Sequence, residues 1–377
     1  MNYIVIDLEW NQGAVKEQVD PAMPFEIIEI GALKLNEQFR MVSQFNYLIK
    51  PKKYKKIHHK TEELTHISTQ ELNMHGRDFK KVIQEFFNWC GKDYIFCTWG
   101  TMDLTELERN IRFYGLHIPF PKPLLYYDLQ RCYSVLHRNG TEKIALDMAV
   151  DELGLSKKRP FHRAKDDAYY TARVMLAMDF EKVKDCYSLD YYRIPSEGEE
   201  MFVLPYKDSI EFVSRPYLSK EEMMADKNLT TTECWKCKKR LRKKIHWFTP
   251  NSKQYMALAQ CPVHGYMVGK IRIRKTDDDQ FFAIKTLHFT DEEGAEEIRL
   301  KQKDMHKKRR QKLSKHLKKM DVMAKENKLR VVDGEVIVIN KEGQEKSFVG
   351  SKICRRRILN LKQDETERFT WNVASRR

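Results

Sequence analysis

The chain opens on a continuous apolar run, Tyr3, Ile4, Val5 and Ile6, rich in β-branched residues and without polar alternation. A strand of that kind belongs in the middle of a sheet covered on both faces. It ends on Asp7 and Glu9, two positions apart, so the pleat places both carboxylates on one side of the strand. After a loop over residues 11–24, residues 25–35 (FEIIEIGALKL) and 40–49 (RMVSQFNYLI) predict two further strands, the three forming a meander. A basic loop, Pro51 to Lys60, comes next. Phe79, Val82, Ile83, Phe86 and Phe87 then recur at helical spacing behind Asp78, a natural N-cap, and predict a helix to Cys90. Tyr94 to Thr98 predicts a fourth strand, and Gly100 breaks the chain before a helix from Asp103 to Tyr114. Helices are also predicted over Asp128–His137, Ile144–Leu153 and Ala164–Met178. Strands first, then strand and helices alternating, specify an α/β architecture with helices on the faces of a mixed sheet.

Beyond residue 180 the pattern is more broken. Pro195, Pro205 and Pro216 punctuate short apolar pieces, Met201–Leu204 and Ile210–Val213, so residues 181–230 are expected to connect and to pack on the first domain. Lys270 to Lys275 (KIRIRK) alternates basic and apolar side chains like a strand with one charged face. Residues 296–328, with HKKRRQKLSKHLKK, are compatible with a strongly basic helix, and residues 331–339 read as a hairpin turning on Asp333 and Gly334. The expected division is a first domain 1–180, a connecting region 181–230, a smaller β domain 231–290, and a basic helix with a hairpin, 291–377.

Charge sharpens this division. The formal net charge is +15, and residues 1–180 carry about 25 Lys and Arg against about 24 Asp and Glu, so nearly all of the excess lies in the second half. An almost neutral domain followed by a basic extension suits a polyanionic partner. The opening residues lack the basic region and cleavage site of a secretory signal, and no stretch approaches the roughly 20 apolar residues of a membrane span. A soluble, cytoplasmic protein without a membrane partner is expected. Cys90, Cys97, Cys132, Cys186 and Cys354 stand alone, as small buried apolar groups of a reducing compartment do. Cys234-x-x-Cys237 and Cys261-x-x-His264, about 23 residues apart, set four soft or borderline ligands on two tight turns, the pattern of one closed structural zinc site. Basic residues interleaved with Trp235, Trp247 and Phe248 make this zinc-ribbon-like module either a nucleic-acid platform or a plain solvated surface.

The acids of the first half carry the candidate chemistry. Adjacent carboxylates on a buried strand repel unless a cation lies between them, and a hard divalent ion is the remedy; otherwise Asp7 and Glu9 are acids on a strand running into a solvated turn. Asp103 falls just past a strand, in the first turn of a helix, where a sheet presents groups to a ligand and where an acid also serves the helix dipole. In the last helix of this half Ala164, Ala168, Thr171 and Met175 form one narrow face. Asp167 leans toward that face and Asp166 points away into solvent. His162 lies in the loop entering the helix, free to reach over the same place or to remain on the surface.

Together, Asp7-x-Glu9, Asp103 after a strand, and His162 with Asp167 in HRAKDDA resemble the three motifs of the DEDDh 3′-to-5′ exonucleases. That family includes proofreading subunits of DNA polymerases, ribonuclease T, oligoribonuclease and the histone-mRNA 3′ exonucleases. The resemblance spans about residues 1–180, with four acids and one histidine in order and FEIIEIGAL similar to the family's second strand. It implies a ribonuclease H-like core, a mixed five-stranded sheet flanked by helices. It also implies two Mg or Mn ions held by Asp7, Glu9, Asp103 and Asp167, with His162 taking the proton from the attacking water, a task suited to a side chain whose ordinary pKa is about 6.5. The implied substrate is single-stranded nucleic acid, cut from a free 3′ end to 5′-nucleoside monophosphates. RNA is favoured over DNA, since stand-alone members with basic modules often act on RNA. A DNA exonuclease of repair or proofreading, and a nucleic-acid-binding scaffold with an idle nuclease fold, are the other readings. The chain has Trp10 where many members carry a hydroxyl residue, and Trp10, Trp99 and Phe161 are candidates for stacking on terminal bases.

Overall fold

The computed structural model describes residues 1–347 apart from 16–18, 139, 141, 197–198, 205–208, 252, 277, 326–328, 333–334 and 340–344. Cys354, the basic tail with Arg355, Arg356, Arg357, Arg376 and Arg377, and the turn at Asp333 and Gly334 lie outside the described residues. The chain divides into two compact units, Met1–Ala295 and Glu296–Arg377.

In the first unit β1 (Asn2–Asn11) is central, and Ile4, Val5 and Ile6 on it are fully buried. Burying each such side chain is worth roughly 1.5–3 kcal/mol, which makes this strand the anchor of the sheet. β2 (Glu26–Leu35) and β3 (Met41–Leu48) complete the antiparallel meander, with Asp7 opposite Gly31 and Glu9 opposite Glu29. On the other side of β1, β4 (Tyr94–Thr98) runs parallel to it and β5 (Leu124–Asp128) parallel to β4. β6 (Ser188–Asp190) then pairs antiparallel with β5, giving the order β3-β2-β1-β4-β5-β6. This is the ribonuclease H-like mixed sheet with six strands in place of the expected five, the sixth coming from the stretch expected to connect and to pack on the first domain.

The helices obey their local signals. α1 (His59–Thr65) takes up the end of the expected basic loop, and α2 (Thr69–His75) lies just beyond it; each buries a single residue, Thr65 or Leu72, so no apolar period announces them. α3 (Phe79–Cys90) buries Phe79, Val82, Ile83 and Phe86, and the Asp78 side chain accepts the N–H groups of Lys80 and Lys81. α4 (Met102–Phe113), α5 (Leu129–His137) and α6 (Leu146–Glu152) lie within about two residues of their predicted bounds. α7 (Ala164–Ala177) buries Ala164, Ala168, Thr171 and Met175, the narrow face read from the sequence.

A second six-stranded sheet occupies the rest of this unit. Its strands are β7 (Glu199–Leu204), β8 (Ser209–Ser214), β9 (Lys243–Asn251), β10 (Gln254–Cys261), β11 (Gly265–Lys275) and β12 (Phe281–Thr290). They lie in the order β7-β8-β12-β11-β10-β9, so residues 199–214 build this sheet, and α8 (Lys220–Ala225) and α9 (Lys227–Thr230) lead from β8 to β9. Trp247 donates Nε1–H to the Thr230 carbonyl at 2.7 Å and lies against Gly269, where a Cβ would come 2.7 Å from the ring. Phe248 is buried. Both are packing residues rather than an open stacking platform. The two sheets share an apolar cluster in which Leu189, with Leu125, Tyr191 and Ile194, meets Val213, Phe282 and Ile284. The Tyr191 hydroxyl also donates to the buried Glu211 carboxylate at 2.5 Å.

α10 (Glu292–Lys325) carries the expected basic run, and β13 (Leu329–Val332), β14 (Glu335–Ile339) and β15 (Glu345–Ser347) form an antiparallel three-stranded sheet in the second unit. Among the described residues no helix is long and apolar enough to cross a membrane.

Candidate active site

β1 delivers its two acids to the carboxyl edge of the parallel strands. One carboxylate oxygen each from Asp7, Glu9 and Asp167 lie within 4.8 Å of one another. Asp103, in the first turn of α4, stands just outside that triangle and is fastened to β1, because its Oδ1 accepts the Leu8 N–H at 3.1 Å. All four acids line one cleft of about 450 Å³ together with His162, Trp10 and Trp99. His162 is exposed at its edge, and its backbone, in the left-handed region at φ 67°, donates N–H to Asp167 Oδ2 at 3.0 Å. Five residues dispersed along the chain thus line one cleft.

Phe161 does not line the cleft. It stacks on Tyr170 at 4.5 Å, a ring whose hydroxyl bonds both the N–H and the carbonyl of Arg159, so packing inside the entry loop has claimed it. Trp99 is held by a 3.2 Å bond from Nε1 to the Ile144 carbonyl, and Trp10 leans on Phe25 at 5.7 Å. Asp166 is not simply solvated, since Arg159 bonds it at 3.1 Å.

The electrostatics of the cleft are those of acids crowded out of water. Burial, then the charges of Asp103, Glu9 and Asp167, hold Asp7 well above the usual carboxylate range. Burial followed by Asp167 and Glu29 pushes Glu9 up to about 8, with Arg163 opposing. Burial lifts Asp103 to about 7 against its bonds to backbone N–H groups, and lifts Asp167 to about 6 against the His162 N–H. The nearby guanidinium is already engaged, because Arg163 grips Glu29 through Nε at 3.0 Å and a terminal nitrogen at 3.1 Å. Asp167 Oδ1 is buried without a hydrogen-bond partner. An unbonded buried oxygen beside three further carboxylates fits a hard divalent cation, and an all-oxygen donor set suits Mg or Mn.

Sequence reasoning missed the groups that seat α7. Glu29, 1% exposed, also accepts the Ala164 N–H at 3.2 Å, so one buried carboxylate secures the loop and the first turn of the helix. Gly31 lies opposite Asp7, and a Cβ there would come within 2.1 Å of the Ala164 carbonyl carbon. The signal was present in FEIIEIGAL, where a carboxylate inside a wholly buried strand demands a partner. Gly31→Ala is expected to lift the start of α7 and, with it, Asp167 from the other acids. Displacement on the order of 1 Å costs about 100-fold in turnover. Steady-state rates beside a circular dichroism spectrum retaining the wild-type shape check this outcome. Lys143 and Gln130, also on the cleft wall, carried no sequence signal.

A second donor cluster lies in the other sheet. Ligand atoms of Cys234, Cys237, Cys261 and His264 lie within 4.8 Å of one another. Cys234 Sγ is 3.4 Å from His264 Nδ1, Cys261 Sγ is 3.6 Å from the same nitrogen, and Cys237 Sγ is 3.6 Å from Cys261 Sγ. Such spacings exceed a disulfide and match the edges of a tetrahedron with bonds of about 2.3 Å to sulfur, so the set fits zinc. Each pair sits on a tight turn, with Lys238 at φ 59° after the first and Gly265 at φ 83° after the second.

Residues 4–175 match the family model described as the RNase T exonuclease. No curated protein matches the chain. Among solved structures, the nuclease domain of 3′hExo, a DEDDh family member bound to rAMP, is 21% identical at a TM-score of 0.40, covering 46% of this chain and 91% of that one. A 3′-exonuclease in a structure of 3′-end-specific recognition of histone mRNA stem-loop is 20% identical at a TM-score of 0.40, with 47% and 63% covered. S. pombe Pop2p in its Mg²⁺- and Mn²⁺-bound form is 16% identical at a TM-score of 0.37, with 48% and 84% covered. The family match falls on the sheet, helices and cleft that bring the acids together: residues 4–175 are an exonuclease domain of the RNase T family.

Proposed function

We propose that the chain is a metal-dependent 3′-to-5′ exonuclease that removes 5′-nucleoside monophosphates from single-stranded nucleic acid, RNA in preference to DNA. The observation that carries this reading is the meeting of Asp7, Glu9, Asp103, Asp167 and His162 in one cleft. The four acids would hold two Mg or Mn ions, which when bound supply an activated water and neutralise charge on the phosphoryl oxygens. The chain's own groups do the rest. His162, exposed at the mouth, accepts the water's proton on a ring nitrogen, and its backbone bond to Asp167 holds it over the acids. Trp10 and Trp99 wall the cleft where the terminal base would rest, and Lys143 offers a cation to phosphate. The preference for RNA rests on the resemblance to stand-alone members with basic extensions.

Matched RNA and DNA oligonucleotides labelled at the 5′ end, supplied with Mg or Mn, test the reading. A ladder shortening from the 3′ end is expected, faster on RNA, with mononucleotides as product. Internal cuts, or intact strands under every ion, would reject it. In the second sheet we assign one structural zinc to Cys234, Cys237, Cys261 and His264. One equivalent of zinc should accompany the purified chain, and Cys234→Ser should lose it and melt several degrees lower, because binding energy at such a site is folding energy. Elemental analysis showing no zinc would remove that assignment.

A further inference from the structure

The loop that joins β3 to α1 carries five lysines, Lys50, Lys52, Lys53, Lys55 and Lys56, and no acid. Its burial runs in threes. Pro51, Tyr54 and Ile57 are buried, while Lys52, Lys53, Lys55 and Lys56 are exposed. The backbone is fixed from beneath by two buried groups. Glu26, 1% exposed, accepts the N–H groups of Lys52, Lys53 and Tyr54 at 2.6, 3.0 and 2.6 Å. Asn11, wholly buried, donates to the carbonyls of Tyr54 and Lys56 at 2.9 and 3.0 Å and accepts the His58 N–H at 2.8 Å. Asn11 is two residues past Glu9 on β1, so the loop is stapled to the strand that carries the candidate acids.

The charges are only partly answered within the fold. Lys52 pairs with Asp78 at 2.5 Å and Lys53 with Asp20 at 2.7 Å, whereas Lys50, Lys55 and Lys56 have no carboxylate partner among the described residues. Lys50, Lys52 and Lys55 line a cleft of about 700 Å³ with Asn73, Gly76 and Asp78, the acid that holds Lys52. Like charges held at fixed spacing by a rigid backbone repel one another, and a polyanion laid across them relieves that repulsion. We propose that Lys50, Lys55 and Lys56 form a track for the sugar–phosphate backbone of the substrate strand behind its 3′ end. The direction of the strand rests on the exonuclease reading; the charge match does not.

The test uses the full chain with Lys50→Gln, Lys55→Gln and Lys56→Gln combined. Those side chains are exposed and free of carboxylate partners, so the variant should melt close to the wild type. Binding of a single-stranded oligonucleotide is read by fluorescence anisotropy in EDTA over a range of salt. Each lost phosphate contact on a single strand lowers the slope of log affinity against log salt by about 0.7, so a fall of about 2 is expected, with affinity reduced roughly tenfold or more. With Mn present, kcat/KM should fall several-fold more for a strand of about 20 nucleotides than for a trinucleotide, mainly through KM. An unchanged slope, or equal loss on long and short strands, overturns the track. A wild type that binds with its salt slope, loses it in the variant and hydrolyses nothing would support the track while rejecting the exonuclease reading.

Discussion

Asp7→Ala is expected to lower the rate of 3′-end trimming by at least about a thousandfold while leaving the affinity for a single strand nearly unchanged. The Asp7 carboxylate lies within 4.8 Å of ligand oxygens from Glu9 and Asp167, and its strongest charge repulsion comes from Asp103. It is therefore the acid all the others share. Its loss removes several kcal/mol of charge stabilisation at about 1.4 kcal/mol per tenfold, hence about three decades or more. The same change deletes a half-buried carboxylate crowded by three others, so the metal-free variant should melt at a higher temperature than wild type near neutral pH. Lost turnover with a raised melting temperature separates chemistry from misfolding. Turnover within tenfold of wild type would remove Asp7 from the site.

The second large effect is on pH. Glu9 is lifted to about 8, Asp103 to about 7 and Asp167 to about 6, with burial the leading cause in each. In the unfolded chain these groups titrate near 4. Between those values the folded state holds more protons than the unfolded one, so raising the pH weakens the metal-free fold. The stability these groups contribute is complete below about pH 4 and is lost as pH climbs through about 6 to 8. In EDTA the melting temperature should fall by roughly 5–15 °C between about pH 5 and 8.5. Mg or Mn should restore it, most strongly at the alkaline end, because cation and protons compete for the same oxygens. Activity at fixed metal should accordingly rise over that interval. Thermal melts in paired EDTA and metal buffers read the effect, and a melting temperature that climbs with pH in EDTA would contradict it.

Much of this site is legible in the chain because its members sit at the ends of strongly patterned elements. The apolar run before Asp7, the strand before Asp103 and the small-residue face beside Asp167 each place an acid without knowledge of the others. Other features depend on tertiary partners and leave little local trace. β5 is five residues long and leads directly into α5, so its apolar residues read equally as the approach to a helix. β7 and β8 lie among prolines and gain their identity by pairing, β8 with β12. Phe161 shows the converse, a ring that chemistry would place over substrate and that packing places on Tyr170. Glu29 and Gly31 have meaning only once α7 lies across β2.

The contact across Leu189, Leu125, Tyr191 and Ile194 on one side and Val213, Phe282 and Ile284 on the other bears on how the nuclease can be isolated. A fragment ending near residue 180 would lack β6 and every partner of Leu125 in this cluster, leaving β5 as a bare sheet margin with that leucine uncovered. Open margins of that kind recruit other chains. Such a truncation would be prone to clump, and the smallest well-behaved piece is one that keeps both sheets together.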